Sequence, residues 1–453
     1  MSIALQILIT LMTSLPFSLV DGWNAIATAR LEARLKAIRD AGDPVTMADL
    51  AKRYPDPPPG KNAAPLLQAA FEKMEAHEGK NAAQEERLPL VGQATLPACD
   101  EPLPLPMFAA IQGYLKDNAE ILDLLHKAAA LGECKFDLDF TKGPGMLLPH
   151  LAKLRGAARL LALETLERAE TGKGDEAAAS LIACLRMGEM VRREPLLISA
   201  LVRIACDAIA VSAAERWASR ARPSPEALAR VESAFAAAGD RKIIEGAMVG
   251  ERCFGIDIYQ THVLKPGGAD MAAMMGVEMP VGAQMLWNVI PGAYFKTDMT
   301  YYLDIMNDYV AASRLPPPEG ARAGARAGRD LEERIPRYYV VSRLILPALG
   351  RVFNNGQEHL ARCDSARAAL AALRFRAKQG RLPAGLDALV PEYLEAVPAD
   401  PFDGKPLRYR ADAAGLAVYA VGADGRDDGG ATERRDGKAP DTGFRIRWPK
   451  AQF

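Results

Sequence analysis

Between residues 107 and 262 apolar side chains return every three or four positions, and that period decides what the chain can build. Leu147, Leu151, Leu154, Ala158, Leu161 and Thr165 trace one nearly apolar stripe when the chain is wound at 3.6 residues per turn. Leu197, Leu201, Ile204, Ala208 and Val211 trace another, with Pro195 near its start. Ser224-Pro225-Glu226 supplies an N-cap, a proline at the first helical position and a first-turn acid, and Gly239 supplies a stop. Helices are predicted over 107–130, 146–171, 175–193, 196–220, 225–238 and 240–262. Their short connections make neighbours antiparallel, which gives hairpins.

Upstream, residues 23–41 carry Ala27, Leu31, Leu35 and Ile38 on one face, ended by Gly42 and Pro44. A shorter helix is expected over 63–77, between Pro-rich connections at 54–60 and 88–106. Downstream, residues 263–297 hold Met271, Met274, Met275, Met279 and Met285 without a clear period, and read as a long loop. Helix returns at 300–313. The Pro-, Gly-, Ala- and Arg-rich stretch from Leu315 to Gly328 reads as a mobile linker. After Pro383 the period falls to two, predicting strands at 407–410, 416–421 and 444–448.

The expected fold class is α+β: mainly an α-helical bundle of hairpins, with a small antiparallel β-sheet domain at the C-terminus. The expected division is 1–22, 23–106, a helical bundle over 107–313, a linker over 314–335, and 336–453. With 453 residues, 49% of them apolar, the chain is long enough for two or three domains. Lys+Arg total 56 against 57 for Asp+Glu, so no basic field exists to attract nucleic acid. Six cysteines without a C-x-x-C pair exclude a zinc ribbon, and Cys184 and Cys206 within helical patterns read as buried free thiols. No H-E-x-x-H, G-x-S-x-G, P-loop or dinucleotide fingerprint is present. The chain is therefore read as non-catalytic.

Residues 3–20 contain no charge and are mostly apolar, close to the shortest length that spans a bilayer. Without preceding Lys or Arg and without an A-x-A-like cleavage site, the run is read as a signal anchor, with a buried helix as the alternative. Arg30, Arg34, Lys36 and Arg39 follow it and oppose export by the positive-inside rule.

The segment Ala368-Ala-Leu-Ala-Ala-Leu-Arg-Phe-Arg-Ala-Lys-Gln-Gly-Arg-Leu-Pro383 is a helix exit ending in an aromatic, a glycine and a proline. Leu386-x-x-Leu-Val-Pro-Glu-Tyr-Leu-x-x-Val-Pro-x-Asp-Pro401, Gly404-Lys-Pro-Leu-Arg-Tyr409 and Val418-Tyr-Ala-Val-Gly-Ala-Asp-Gly425 follow it. In this order the segments resemble the C-terminal half of the type II secretion major pseudopilins. The resemblance implies a long helix with a small antiparallel sheet, a bacterial cell-envelope location with the bulk extracytoplasmic, and protein partners there. It also implies calcium bound in the loop after the last motif, with Asp424 as the best-matched ligand. Asp427 and Asp428 join Asp424 as metal candidates on local chemistry, since calcium takes six to eight oxygens from carboxylates and carbonyls. The expected function is thus an envelope-anchored structural or assembly protein. The alternatives are a helical protein-binding adaptor, or a hydrolase in which Glu245, Glu251 and Asp257 converge.

Overall fold

Alanine, leucine, arginine and glutamate fill most of the chain between its prolines and glycines, and all four are strong helix formers. In the computed structural model, which describes residues 17–77, 85–264, 291–336, 338–431 and 441–449, they form helices nearly wherever the apolar period runs. The N-terminal set is α1 (Phe17–Asp40), α2 (Met47–Ala51), α3 (Ala64–His77), α4 (Leu105–Asp117) and α5 (Ala119–Leu131). The central set is α6 (Pro149–Glu170), α7 (Gly174–Glu189), α8 (Leu197–Arg220), α9 (Pro225–Ala238) and α10 (Lys242–Ile258). Then come α11 (Gly292–Arg314), α12 (Glu319–Arg334), α13 (Val340–Ile345) and α14 (Pro347–Gln379). Three strands close the fold: β1 (Arg408–Asp412), β2 (Gly415–Ala420) and β3 (Thr442–Arg447), antiparallel in the order β1-β2-β3. The architecture is α+β.

Local signals account for several ends. Ser224 accepts the N–H of Ala227 at 3.1 Å as the cap of α9. Gly380 takes φ +69° and ends α14 in the left-handed conformation that a side chain disfavours. Ala27, Leu31, Leu35 and Ile38 are buried on α1, as their spacing predicts.

Two large apolar clusters hold the helices together. One joins α3 and α5–α9 to the second half of α14 and the sheet, through residues such as Leu161, Leu181, Trp217, Phe235, Leu370 and Phe444. The other joins α1, α10, α11, α12 and the start of α14, through Leu35, Met248, Tyr302, Met306 and Phe353. Helices α8 and α14 contribute to both clusters. The 33 residues of α14, at about 1.5 Å each, make a rod of about 50 Å that ties one cluster to the other. In the sheet, Val418 pairs with Tyr409 on one side and Phe444 on the other. Its strands β2 and β3 pack on α14, and β3 packs on α8 as well.

Strand β3 is an edge strand, and α8 covers it. The N–H of Arg445 donates to Glu215 Oε1 at 2.8 Å, and that of Arg447 donates to Ser219 Oγ at 3.0 Å. Two ladder donors that would otherwise face outward are thereby satisfied. The C-terminal sheet shares one apolar core with α6–α9 rather than standing apart from it.

Several expectations change. The helix predicted over 107–130 is two helices broken at Asn118, whose side-chain amide donates to Tyr114 O at 2.8 Å and competes with the backbone pattern. Leu147 is exposed and precedes α6, which starts at Pro149, where a missing N–H costs nothing. The linker expected over 314–335 contains α12. Ala323, Ala327 and Leu331 fall four residues apart and so share a face packed into the second cluster. Gly324 permits the approach: a Cβ there would lie 2.4 Å from the Phe353 ring. Of the loop expected over 263–297, residues 265–290 lie outside the described residues, and α11 begins at Gly292. The apolar run at 3–20 lies outside them up to residue 16, and its last four residues are the first turn of α1.

Gly324→Val tests whether α12 is packed as described. Overpacking against Phe353 should cost about 1–3 kcal/mol and lower the melting temperature by several degrees. A melting temperature equal to that of the unaltered protein would show that residues 319–334 do not pack there.

Candidate functional site

Between β2 and β3 the chain passes through the glycine- and aspartate-rich segment singled out as a calcium loop. Its base is rigid. Asp400, fully buried, accepts the N–H groups of Phe402 and Val421, each at 2.8 Å, and pairs with the Arg408 guanidinium. Arg408 also pairs with Asp403, which holds the Asp403 carboxyl below its ordinary value against the opposing effect of burial.

Each candidate ligand then has its own place. Asp424 accepts the N–H of Arg426 at 3.0 Å, a turn closed by its own side chain. Asp427 accepts the N–H of Gly429 at 3.0 Å and the hydroxyl of Tyr419 at 3.2 Å, with Arg408 Nε 3.9 Å from its other oxygen. The backbone N–H of Asp428 donates to the Asp441 carboxylate. Asp441 was not a sequence candidate, yet it is the most enclosed of the four at 2% exposure. Its Oδ2 accepts the N–H of Gly430 at 2.6 Å, and its Oδ1 is buried without a hydrogen-bond partner. Burial pushes the Asp441 carboxyl above its ordinary value, and the charges of Asp427 and Asp428 push the same way.

Asp441 therefore receives the backbone N–H groups of Asp428 and Gly430 and feels the charges of Asp427 and Asp428, while Asp424 is held by its own turn. The donors are all oxygens, the type calcium selects over zinc. Among the described residues no group of three His, Cys, Asp or Glu side chains is gathered closely enough to hold a metal ion by itself. Backbone carbonyls would have to complete any shell. The glycine conformation bears on this: Gly430 has φ +79° and a Cβ there would lie 3.0 Å from the Tyr419 ring, so the chain runs too close for any side chain.

The other flagged groups do not assemble. Glu245, Glu251 and Asp257 sit six residues apart on α10, a spacing that turns each about 120° from the last. Glu245 pairs with Arg314 at 2.8 Å, whereas burial alone raises Glu251 to about 7. His359 and Cys363 are adjacent on α14 but buried, with sulfur 3.8 Å from Nδ1, and burial drives the thiol well above its ordinary value.

A buried polar centre that sequence reasoning missed lies on α8. Arg203 is 2% exposed, and its Nη2 donates to the carbonyls of Ala237 and Ala238 at the end of α9. Asp207, one turn later, is fully buried, and neither of its carboxyl oxygens has a hydrogen-bond partner. His359 Nε2 lies 3.6 Å from Asp207 Oδ2, too far for a hydrogen bond, and donates to Ala238 O at 3.1 Å. Burial raises Asp207 to about 8, and burial with the Arg203 charge lowers His359 to about 4. At neutral pH the two therefore meet as a neutral acid and a neutral imidazole.

No protein-family model, no curated protein and no solved structure matches the chain.

The Asp207 shift carries a sign that can be measured. Its folded value lies above its unfolded one, so the folded protein binds the extra proton, and the stability this gives is present in acid and lost as pH rises through about 8. The melting temperature should fall between about pH 4 and pH 8, by several degrees. Asp207→Asn, which keeps the shape without the charge, should flatten that fall. An unchanged slope in the variant would mean that Asp207 is ionised in the folded protein.

Proposed function

We propose that the protein is a structural or assembly component of a bacterial cell envelope. In this reading a bundle of helical hairpins is held to a membrane through its N-terminal segment and carries a pseudopilin-type unit that takes calcium. The observation that carries the reading is an exposed apolar and aromatic end. Leu19 and Ile26 on α1 are exposed, as are Tyr338, Val340 and Leu344 around α13. Ile26 and Tyr338 are joined through neighbouring rings: Trp23, Ile26 and Tyr301 line one cleft, the Tyr301 and Tyr339 rings lie 5.1 Å apart, and Tyr339 lies against Tyr338 at 4.8 Å. The last four residues of the charge-free run, 17–20, form the first turn of α1. Aromatic rings beside an apolar helix suit the boundary between lipid and water. Among the described residues α8 alone is long and apolar enough to cross a membrane, and it is mostly buried inside the protein.

Full-length protein should sediment with membranes and resist carbonate extraction, and a chain beginning at Trp23 should be released. Equal solubility of the two would defeat the anchor.

Calcium should raise the melting temperature of the full chain through binding to Asp427, Asp428, Asp441 and nearby carbonyls, with Asp424 as the ligand implied by resemblance. At a calcium concentration of about 100 times Kd the stabilisation is about 2.7 kcal/mol. Asp441→Asn should abolish the shift and Asp424→Ala should weaken it. No shift in millimolar calcium would remove the metal from this reading and leave the anchor untouched.

A further inference from the structure

Where the start of α10 passes the 191–195 connection, the walls enclose a cavity of about 310 Å³. Its lining is dominated by cations: Arg53, Arg192, Arg193, Arg203 and Lys242, against one acid, Glu194. We infer that this cavity binds a small phosphate monoester, with the phosphate among the arginines and the organic group against the apolar wall.

The acids near these cations are too few and already shared. Arg192 and Arg193 divide one carboxylate, that of Glu133. Arg53 shares Asp43 with Arg252 and Arg314. Glu194 is engaged elsewhere: its oxygens take the Ser199 hydroxyl, His150 Nε2 at 2.9 Å and the Tyr54 hydroxyl at 3.5 Å. The ammonium of Lys242 has no ion-pair partner among the described residues.

Arg203 is the second, independent sign. It is almost fully buried, its Nη2 is held by the carbonyls that end α9, and its Nε has no hydrogen-bond partner. A buried guanidinium with an unused donor is costly unless an acceptor reaches it. Asp207, one turn along α8, makes no hydrogen bond to it, and burial keeps that acid largely protonated at neutral pH. An oxyanion in the cavity that Arg203 lines would supply the negative charge this guanidinium lacks.

Geometry and size narrow the ligand. Guanidinium forks match the oxygens of phosphate two at a time, and several such groups favour a dianion over a monoanion. Val191, Pro195 and Ile243 provide an apolar surface beside them. The volume is at the lower end of the range for small-molecule pockets, which suits one phosphate on a compact body and leaves no room for a polymer. Gly246 lines the cavity, and a Cβ there would meet nothing within 4 Å, so the open space begins directly at its backbone.

The test titrates the full chain by calorimetry at neutral pH and constant ionic strength with phenyl phosphate, inorganic phosphate and benzoate. Phenyl phosphate should bind saturably, one per chain, with Kd at or below about 1 mM, and inorganic phosphate more weakly. Gly246→Leu fills the cavity from a helical position that tolerates leucine, and should weaken phenyl phosphate at least about tenfold. Arg203→Met should do the same, and Lys242→Ala should weaken it by about threefold to tenfold. Because Arg203→Met can unsettle the core by itself, Gly246→Leu and Lys242→Ala, checked by their melting temperatures, decide the matter. Absence of saturable binding up to about 20 mM would overturn the proposal. So would equal binding in Gly246→Leu, or benzoate binding as tightly as phenyl phosphate.

Discussion

A helix enclosed by protein has no water to satisfy its charged side chains, and most of this structure is arranged around one such helix. Helix α8 packs against α6, α7, α10, α14 and β3. It carries Arg203, Asp207 and Arg216 into the interior. Arg216 shows what the arrangement demands. Its guanidinium pairs with Glu170 at 2.9 Å and donates to the carbonyls of Pro97, Ala98 and Glu101. The irregular segment before α4 is thus fixed by a cation that would be stranded without it. Removing one partner of such a buried pair typically costs about 3–5 kcal/mol, far more than the pair adds over an apolar replacement. Trp217 Nε1, donating to Gly174 O at 2.8 Å, secures the neighbouring turn in the same way. Position along the chain and position in the fold are locked by these few polar bonds, and apolar packing fills the space between them.

The two apolar clusters would be separable units were it not for α8 and α14, which run through both. Polar groups gather where these helices meet the others. Arg203, Asp207 and His359 lie at the contact of α8, α9 and α14, and Arg203 also lines the cationic cavity beside α10. One side chain therefore faces a dry, proton-sensitive interior and borders an open space. A change of charge on either side reaches the other through a single guanidinium.

Much of this is legible in the residues. The faces of α1 and α6, the cap of α9, the glycine stop of α14 and all three strands follow from period and punctuation. What is not legible has identifiable causes. The stretch at 319–334 contains Gly320, Gly324 and Gly328, and glycine signals a loop in isolation. Here the small residues admit Phe353 and Tyr309, and tertiary packing outweighs local preference. On α8, the stripe from Leu197 to Val211 suggests one buried face, but Ala208 is exposed, and Arg203 and Asp207, which a helical wheel assigns to solvent, are inside. Charge is a poor guide to burial when the partners come from distant elements. Asp441 follows the same logic: nothing in its neighbours marks it, and only the pairing of β3 with β2 brings it to Gly430 and Asp428.

The covering of β3 by Glu215 and Ser219 limits how this chain can meet copies of itself. A sheet grows by offering a row of free N–H and C=O groups to another strand. On the β3 side two of those donors already end on side chains of α8. Burial lifts the Glu215 carboxyl to about 7, and the Arg445 N–H works against that rise by favouring the carboxylate. Any strand seeking to add at this edge would have to displace a helix anchored through two cores. Growth of the sheet by one more strand is left to β1, whose far end at Arg410, Ala411 and Asp412 is exposed, with the Arg410 guanidinium 3.6 Å from the Asp412 carboxylate. The sheet is thus closed along β3 by its own protein, and β1 is the edge left to another strand.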